Sequence, residues 1–135
     1  MNRALALGLL LCVAGCRLPA ERVPLRSLPE DVQPLPYGEL LTRARLQATA
    51  ATEAFYINQW TDLEDAARGL EQTAQFLGKA LEVPANHKDS LAGEADTLRE
   101  EASKLREAAK TREVKQTNEI LQRINLKVRE LRPEG

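Results

Sequence analysis

At 135 residues, with 4% aromatic and 29% charged residues, the chain has room for one modest domain and suits Ala/Leu-rich helices with solvated outer faces better than a β-sandwich. The formal net charge is −1, and loss of residues 1–15, whose single charged side chain is Arg3, would make it −2. That balance argues against a general nucleic-acid binder, which needs surplus Lys and Arg to displace counterions from phosphate, and the two cysteines, Cys12 and Cys16, predict no structural disulfide.

Residues 1–15 read as an export signal. Met1-Asn2-Arg3 is a short positive start, and Ala4 to Val13 is an apolar run too short to cross a bilayer. The run ends in Val13-Ala14-Gly15-Cys16, which resembles the lipobox of bacterial lipoproteins: a hydrophobic residue and two small ones before a cysteine, small because the peptidase must close around the backbone. The resemblance implies cleavage between Gly15 and Cys16, thioether attachment of a diacylglycerol to Cys16, and acylation, palmitate-like, of the new amino terminus. Two or three acyl chains hold a protein to a bilayer far more firmly than one. The expected location is the cell envelope. In a Gram-negative cell, Arg17 in place of Asp implies the outer membrane, facing the periplasm.

Residues 16–36 form the lipidated cysteine and a Pro-rich tether. Pro19, Pro24, Pro29 and Pro34 recur every fifth residue, with Pro36 added, and proline removes an amide donor and pushes its predecessor out of the α region. An extended segment follows, able to reach on the order of 60 Å at the polyproline II rise. Arg17, Arg22 and Arg26 lie where they can meet anionic headgroups or stay solvated. Leu25, Leu28, Val32 and Leu35 offer an alternative, in which part of the tether packs back along the domain.

The domain, 37–135, is predicted as an all-α, up-and-down four-helix bundle. Helix one runs from Tyr37 or Gly38 to Ile57, with its stripe at Tyr37, Leu41, Ala44, Ala48, Ala51 and Phe55. A register step of five then predicts a tight turn around Asn58, beside a capping-box pattern from Thr61 to Glu64. Helix two opens at Trp60 and carries an apolar stripe through Leu63, Ala67, Leu70, Ala74 and Leu77 to Leu81, where Glu82-Val83-Pro84 breaks it. Helix three, Asp89 to Lys110, alternates large and small at Leu91, Ala95, Leu98, Ala102, Leu105 and Ala109. Helix four, Glu113 to Leu131, carries Val114, Thr117, Leu121, Ile124, Val128 and Leu131. Large residues opposite small ones fill a bundle core without voids.

Three pairs spaced i, i+4 are expected on solvated faces: Glu64 with Arg68, Glu100 with Lys104, and Glu119 with Arg123. No Gly or Pro separates Ala109 from Val114. If both register slips were skips inside continuous helices, the domain would instead be a long antiparallel two-helix hairpin of coiled-coil type. Its arms would be about 65 Å each, and it would have to form a homodimer to bury its faces.

Reactive chemistry is sparse. His87 is the single histidine, in the loop between helices two and three, and reads as a solvated residue. There is no HExxH, no Glu-x-x-His pair and no Cys/His cluster spaced for zinc, and no serine elbow or phosphate-binding Gly loop, so neither catalytic nor metal-ligating residues are assigned. Four helices with a Trp opening the second, an Ala/Leu core and a final helix with the pattern AAK…V…IL.RIN resemble exported cytochromes of the c-prime type. Those attach haem through Cys-x-x-Cys-His near the end of the last helix. Here the place reads Leu126-Lys127-Val128-Arg129-Glu130-Leu131, without cysteine or histidine, so the resemblance implies a haem-free relative and no cofactor.

Trp60 reads either as a core residue closing one bundle end or, with Phe55, Tyr56 and Ile57, as an apolar partner-contact patch. The function expected is that of a non-enzymatic, membrane-anchored envelope lipoprotein whose bundle serves protein–protein contact or a structural role. The alternative is a carrier of a small apolar ligand derived from the c-prime-like bundle.

Overall fold

The computed structural model describes residues 25–133, and the signal segment, Gly15, Cys16 and the first part of the tether lie outside that range. Four helices, α1 (Tyr37–Tyr56), α2 (Trp60–Leu77), α3 (Leu91–Thr111) and α4 (Val114–Glu130), are joined in order, with a 3₁₀ turn at Ala85–His87 between α2 and α3. Each helix packs on the next and α4 returns onto α1, which closes the ring of an up-and-down four-helix bundle. Both register slips are real turns, which excludes the long hairpin.

Their geometry shows why they turn. Asn58 and Arg112 both adopt left-handed backbone, with φ of 57° and 52°. Behind each, an amide reaches back five residues: Gln59 N–H donates to the Ala54 carbonyl at 2.8 Å and Glu113 N–H to that of Ala108 at 3.1 Å. This Schellman arrangement satisfies the last carbonyls of α1 and α3 and reverses the chain without glycine or proline. The expected capping box is not used: the residue before α2 is Gln59, and no side chain caps that helix.

α2 stops four residues short of the expected Leu81. The cause is tertiary, because the Leu81 backbone is taken by the incoming chain: its N–H donates to the Leu35 carbonyl at 2.9 Å and its carbonyl accepts from Tyr37 N–H at 2.7 Å. Pro36 and Leu81 thereby form an isolated parallel bridge, and the Leu81 side chain is left 50% exposed. Val114, also assigned to a stripe, lies outside the core at the start of α4, where Ile120 takes a buried place instead.

The core follows the remaining stripes closely. Ala44, Ala48, Ala51 and Ala54 of α1 are buried, as are Leu63, Leu70 and Leu77 of α2, Leu98 and Leu105 of α3, and Ile120, Ile124 and Val128 of α4. Small residues let the α1 and α2 axes approach: a Cβ added at Gly69 would come within 2.9 Å of the buried Gln47 amide.

From Leu25 onward the tether does not stand away from the bundle. Leu28 and Leu35 pack against the core, and Gln72 of α2 clasps the Leu28 peptide on both sides, accepting its N–H at 2.9 Å and donating to its carbonyl at 2.5 Å. A turn closes between Pro29 and Val32, and Arg43 of α1 donates to the Arg26 carbonyl at 2.8 Å. The segment is therefore a strap laid across α2 toward α1, which is the packed-back alternative. The proline spacing forbids a helix here but leaves the backbone free to be bound by side chains.

Candidate functional site

The two turns place α1–α2 and α3–α4 residues at one end of the bundle, its tip, while Tyr37, the 3₁₀ turn and Leu131 meet at the base. The sequence-predicted patch assembles at the tip. Phe55 and Trp60 flank the left-handed Asn58 and meet edge to face, with ring centroids 6.0 Å apart; both are half-buried and packed on the core. Tyr56 and Ile57 project outward, 73% and 66% exposed. Trp60 thus combines the two roles that its sequence position suggests, closing the core and backing a surface. The second turn contributes Val114, 60% exposed, which periodicity alone would assign to the interior. Such clustering at one end differs from the isolated exposed apolar residues normal on any surface.

The base holds a polar cluster that corrects the reading of His87 as solvated. Its side chain is buried and stacks on Tyr37, with ring centroids 5.9 Å apart and planes at 23°. Nδ1 lies 3.0 Å from Glu94 Oε2 and Nε2 lies 3.2 Å from the Arg132 carbonyl, while Ser90 Oγ donates to the other Glu94 oxygen at 3.0 Å. Both ring nitrogens face acceptors, and the ring meets both at once when it carries two protons. The Tyr37 hydroxyl donates to the Leu131 carbonyl. Burial, followed by the nearby Glu94 charge, pushes the Tyr37 phenol up to about 12. The cluster ties the start of α1, the α2–α3 loop and the end of α4 together. With both nitrogens occupied by fixed partners, His87 is built as a fastening, not as a base. A lone loop histidine carries no local sign of this, because Tyr37 and Arg132 are distant in sequence.

On the flank between α3 and α4, Glu101 Oε2 accepts from Arg123 Nε at 2.8 Å and Oε1 from Lys104 Nζ at 3.2 Å. Burial raises the Glu101 carboxyl, but the two hydrogen bonds and cationic charges outweigh it and hold the group below the usual carboxylate range. These contacts replace two of the expected surface pairs, since Lys104 takes Glu101 instead of Glu100 and Arg123 takes it instead of Glu119. Glu64 with Arg68 forms as expected, at 3.2 Å.

A shallow cleft on the outer side of α2 and α3 is lined by Arg68, Glu71, Phe76, Lys79, Arg99 and Arg106, with Glu30 of the strap at its rim. Arg106 is paired with Glu71 at 3.5 Å, and Arg99 with Asp96 at 3.6 Å. Among the described residues there is no group of three or more His, Cys, Asp or Glu placed to hold a metal ion, and no helix is long and apolar enough to cross a membrane. No protein-family model, curated protein or solved structure matches the chain.

Proposed function

We propose that the chain is a lipid-anchored envelope protein, tethered through Cys16, whose bundle acts without catalysis as a docking body for another protein. The observation that carries the docking role is the tip. Tyr56 and Ile57 stand exposed on a turn whose backbone is locked by Asn58 and whose underside is packed by Phe55 and Trp60. A rigid, aromatic-backed projection loses little entropy when a partner covers it, as interface anchors require. The anchoring role is supported by the lipobox pattern ending at Cys16.

Photo-crosslinking in intact cells tests the docking role. A benzophenone side chain at Tyr56 is expected to capture one discrete partner, and Ile57→Asp in the same chain to reduce that capture at least tenfold while the melting temperature stays put. Equal capture from Glu100, on the exposed side of α3, would show that the tip has no special role.

A further inference from the structure

We propose that the α1/α4 side of the bundle lies against an anionic lipid surface. The inference rests on the lipoprotein reading and adds to it which side of the molecule the anchor brings to the bilayer.

Charge is divided unevenly around the ring. Over their residues α4 carries a net +2 and α1 is neutral, whereas α2 carries −3 and α3 −1. The cations are also used differently on the two sides. Arg68, Arg99, Lys104, Arg106 and Lys110, on α2 and α3, all pair with carboxylates of those same two helices. On α1 and α4, Arg45, Lys115 and Arg129 have no carboxylate partner among the described residues.

These three cations share one face. Asn125 of α4 donates to Thr52 Oγ1 of α1 at 3.2 Å, which marks the seam between the two helices. Helical spacing places Thr49 and Tyr56 beside Thr52, with Arg45 one turn beyond Thr49. The same spacing places Gln122 and Arg129 beside Asn125, with Lys115 two turns before Gln122. Thr49, Gln122, Arg45 and Arg129 are exposed. The face is thus cationic and otherwise small or neutral, with exposed Leu46 and Leu126 at its two edges. Basic residues flanked by apolar ones are what a headgroup layer accepts, since phosphate takes the charge and the interface takes the leucines.

The course of the chain points the same way. The strap reaches α1 at Arg43, where the Arg26 carbonyl is held. Leu25 is the first described residue, and the nine steps from it back to Cys16 span at most about 30 Å. The acidic α2 lies on the other flank of the strap. An anchor joined to α1 by so short a lead holds the bundle close to the bilayer, where the uneven charge selects the α1/α4 side.

The test uses the full chain, matured and lipidated in cells, then reconstituted in vesicles of phosphatidylcholine alone or with phosphatidylglycerol as roughly a third of the lipid. In the mature chain Cys16 is alkylated, so a spin label attaches to Thr49→Cys or, as the control, Glu100→Cys. Collision with an aqueous nickel chelate is expected to fall at least threefold at position 49 on the anionic vesicles and to stay unchanged at position 100. Arg45→Glu with Arg129→Glu, both on exposed side chains, should abolish the fall, and molar salt should reverse it. Equal accessibility at the two positions on anionic vesicles overturns the proposal, including the case in which this strip instead takes an acidic protein. A chain whose Cys16 reacts with the label and which does not float with neutral vesicles overturns the lipoprotein reading, and the proposal with it.

Discussion

Tyr37 and Glu101 show two buried groups whose surroundings act in opposite directions on their protons. For Tyr37 the folded chain favours the neutral phenol, raising it from 10.0 to about 12. Its contribution is complete below pH 10 and is lost as pH rises toward 12, because only the unfolded chain is then free to ionise. Urea unfolding should lose roughly 2–3 kcal/mol of stability over that interval from this group. Tyr37→Phe should flatten that part of the profile while costing about 1 kcal/mol at neutral pH through the lost bond to the Leu131 carbonyl. Glu101 has the reverse sign. Its folded carboxyl sits below the ordinary 4.5, so its contribution is complete above that value and disappears as pH falls through the lowered folded pKa. Glu101→Gln should destabilise by about 1 kcal/mol at pH 7, as half-exposed Arg123 and Lys104 are screened by water, and should match the parent in acid. Neither role is legible in the sequence. There Tyr37 reads only as the first residue of an apolar stripe, and Glu101 has no role because its neighbour Glu100 has the better spacing to Lys104.

At the scale of elements, the apolar period located all four helices because it depends on residues only three and four apart. It misjudged the ends. Leu81 falls in phase with α2, yet its backbone is engaged by Leu35 and Tyr37, and Val114 falls in phase with α4 but opens the helix at the tip. The turns carry a testable cost. Arg112 occupies left-handed backbone, where an L side chain other than Asn or Asp is disfavoured by about 1 kcal/mol. Arg112→Gly should therefore raise the melting temperature by roughly 2–5 °C, part of the gain being offset by the freer unfolded chain. Asn58→Gly at the equivalent place should change it less, since Asn tolerates that conformation. A differential scanning measurement of the two variants separates them.

The whole molecule is shorter-tethered than its proline content implies. A free segment from Cys16 to Pro36 could hold the bundle on the order of 60 Å from a bilayer. With the strap fixed by Gln72, Arg43 and Leu81, only the lead before Leu25 spans that distance, about 30 Å at most. Position, not stability, should depend on the anchor, since Cys16 lies outside the described bundle. Cys16→Ala is expected to move the protein from salt-washed membranes to the soluble fraction with its helical circular dichroism unchanged. A variant that still sediments with washed membranes would end the lipoprotein reading.

By itself the sequence determined the number of helices, their seams and the places where the chain reverses, because these are set by side-chain period and by residues adjacent along the chain. It also supplied the patch at Phe55, Tyr56, Ile57 and Trp60, whose members are near neighbours. Tertiary structure alone decided what depends on groups far apart in sequence. It buried His87 between Tyr37, Glu94 and the Arg132 carbonyl, drew Arg123 of α4 onto Glu101 of α3, bound the Leu28 peptide to Gln72, and set the unpaired cations of α1 and α4 on one face. Helical period fixes which way a residue points around its own axis, but the neighbour it meets there is fixed only when the helices close their ring.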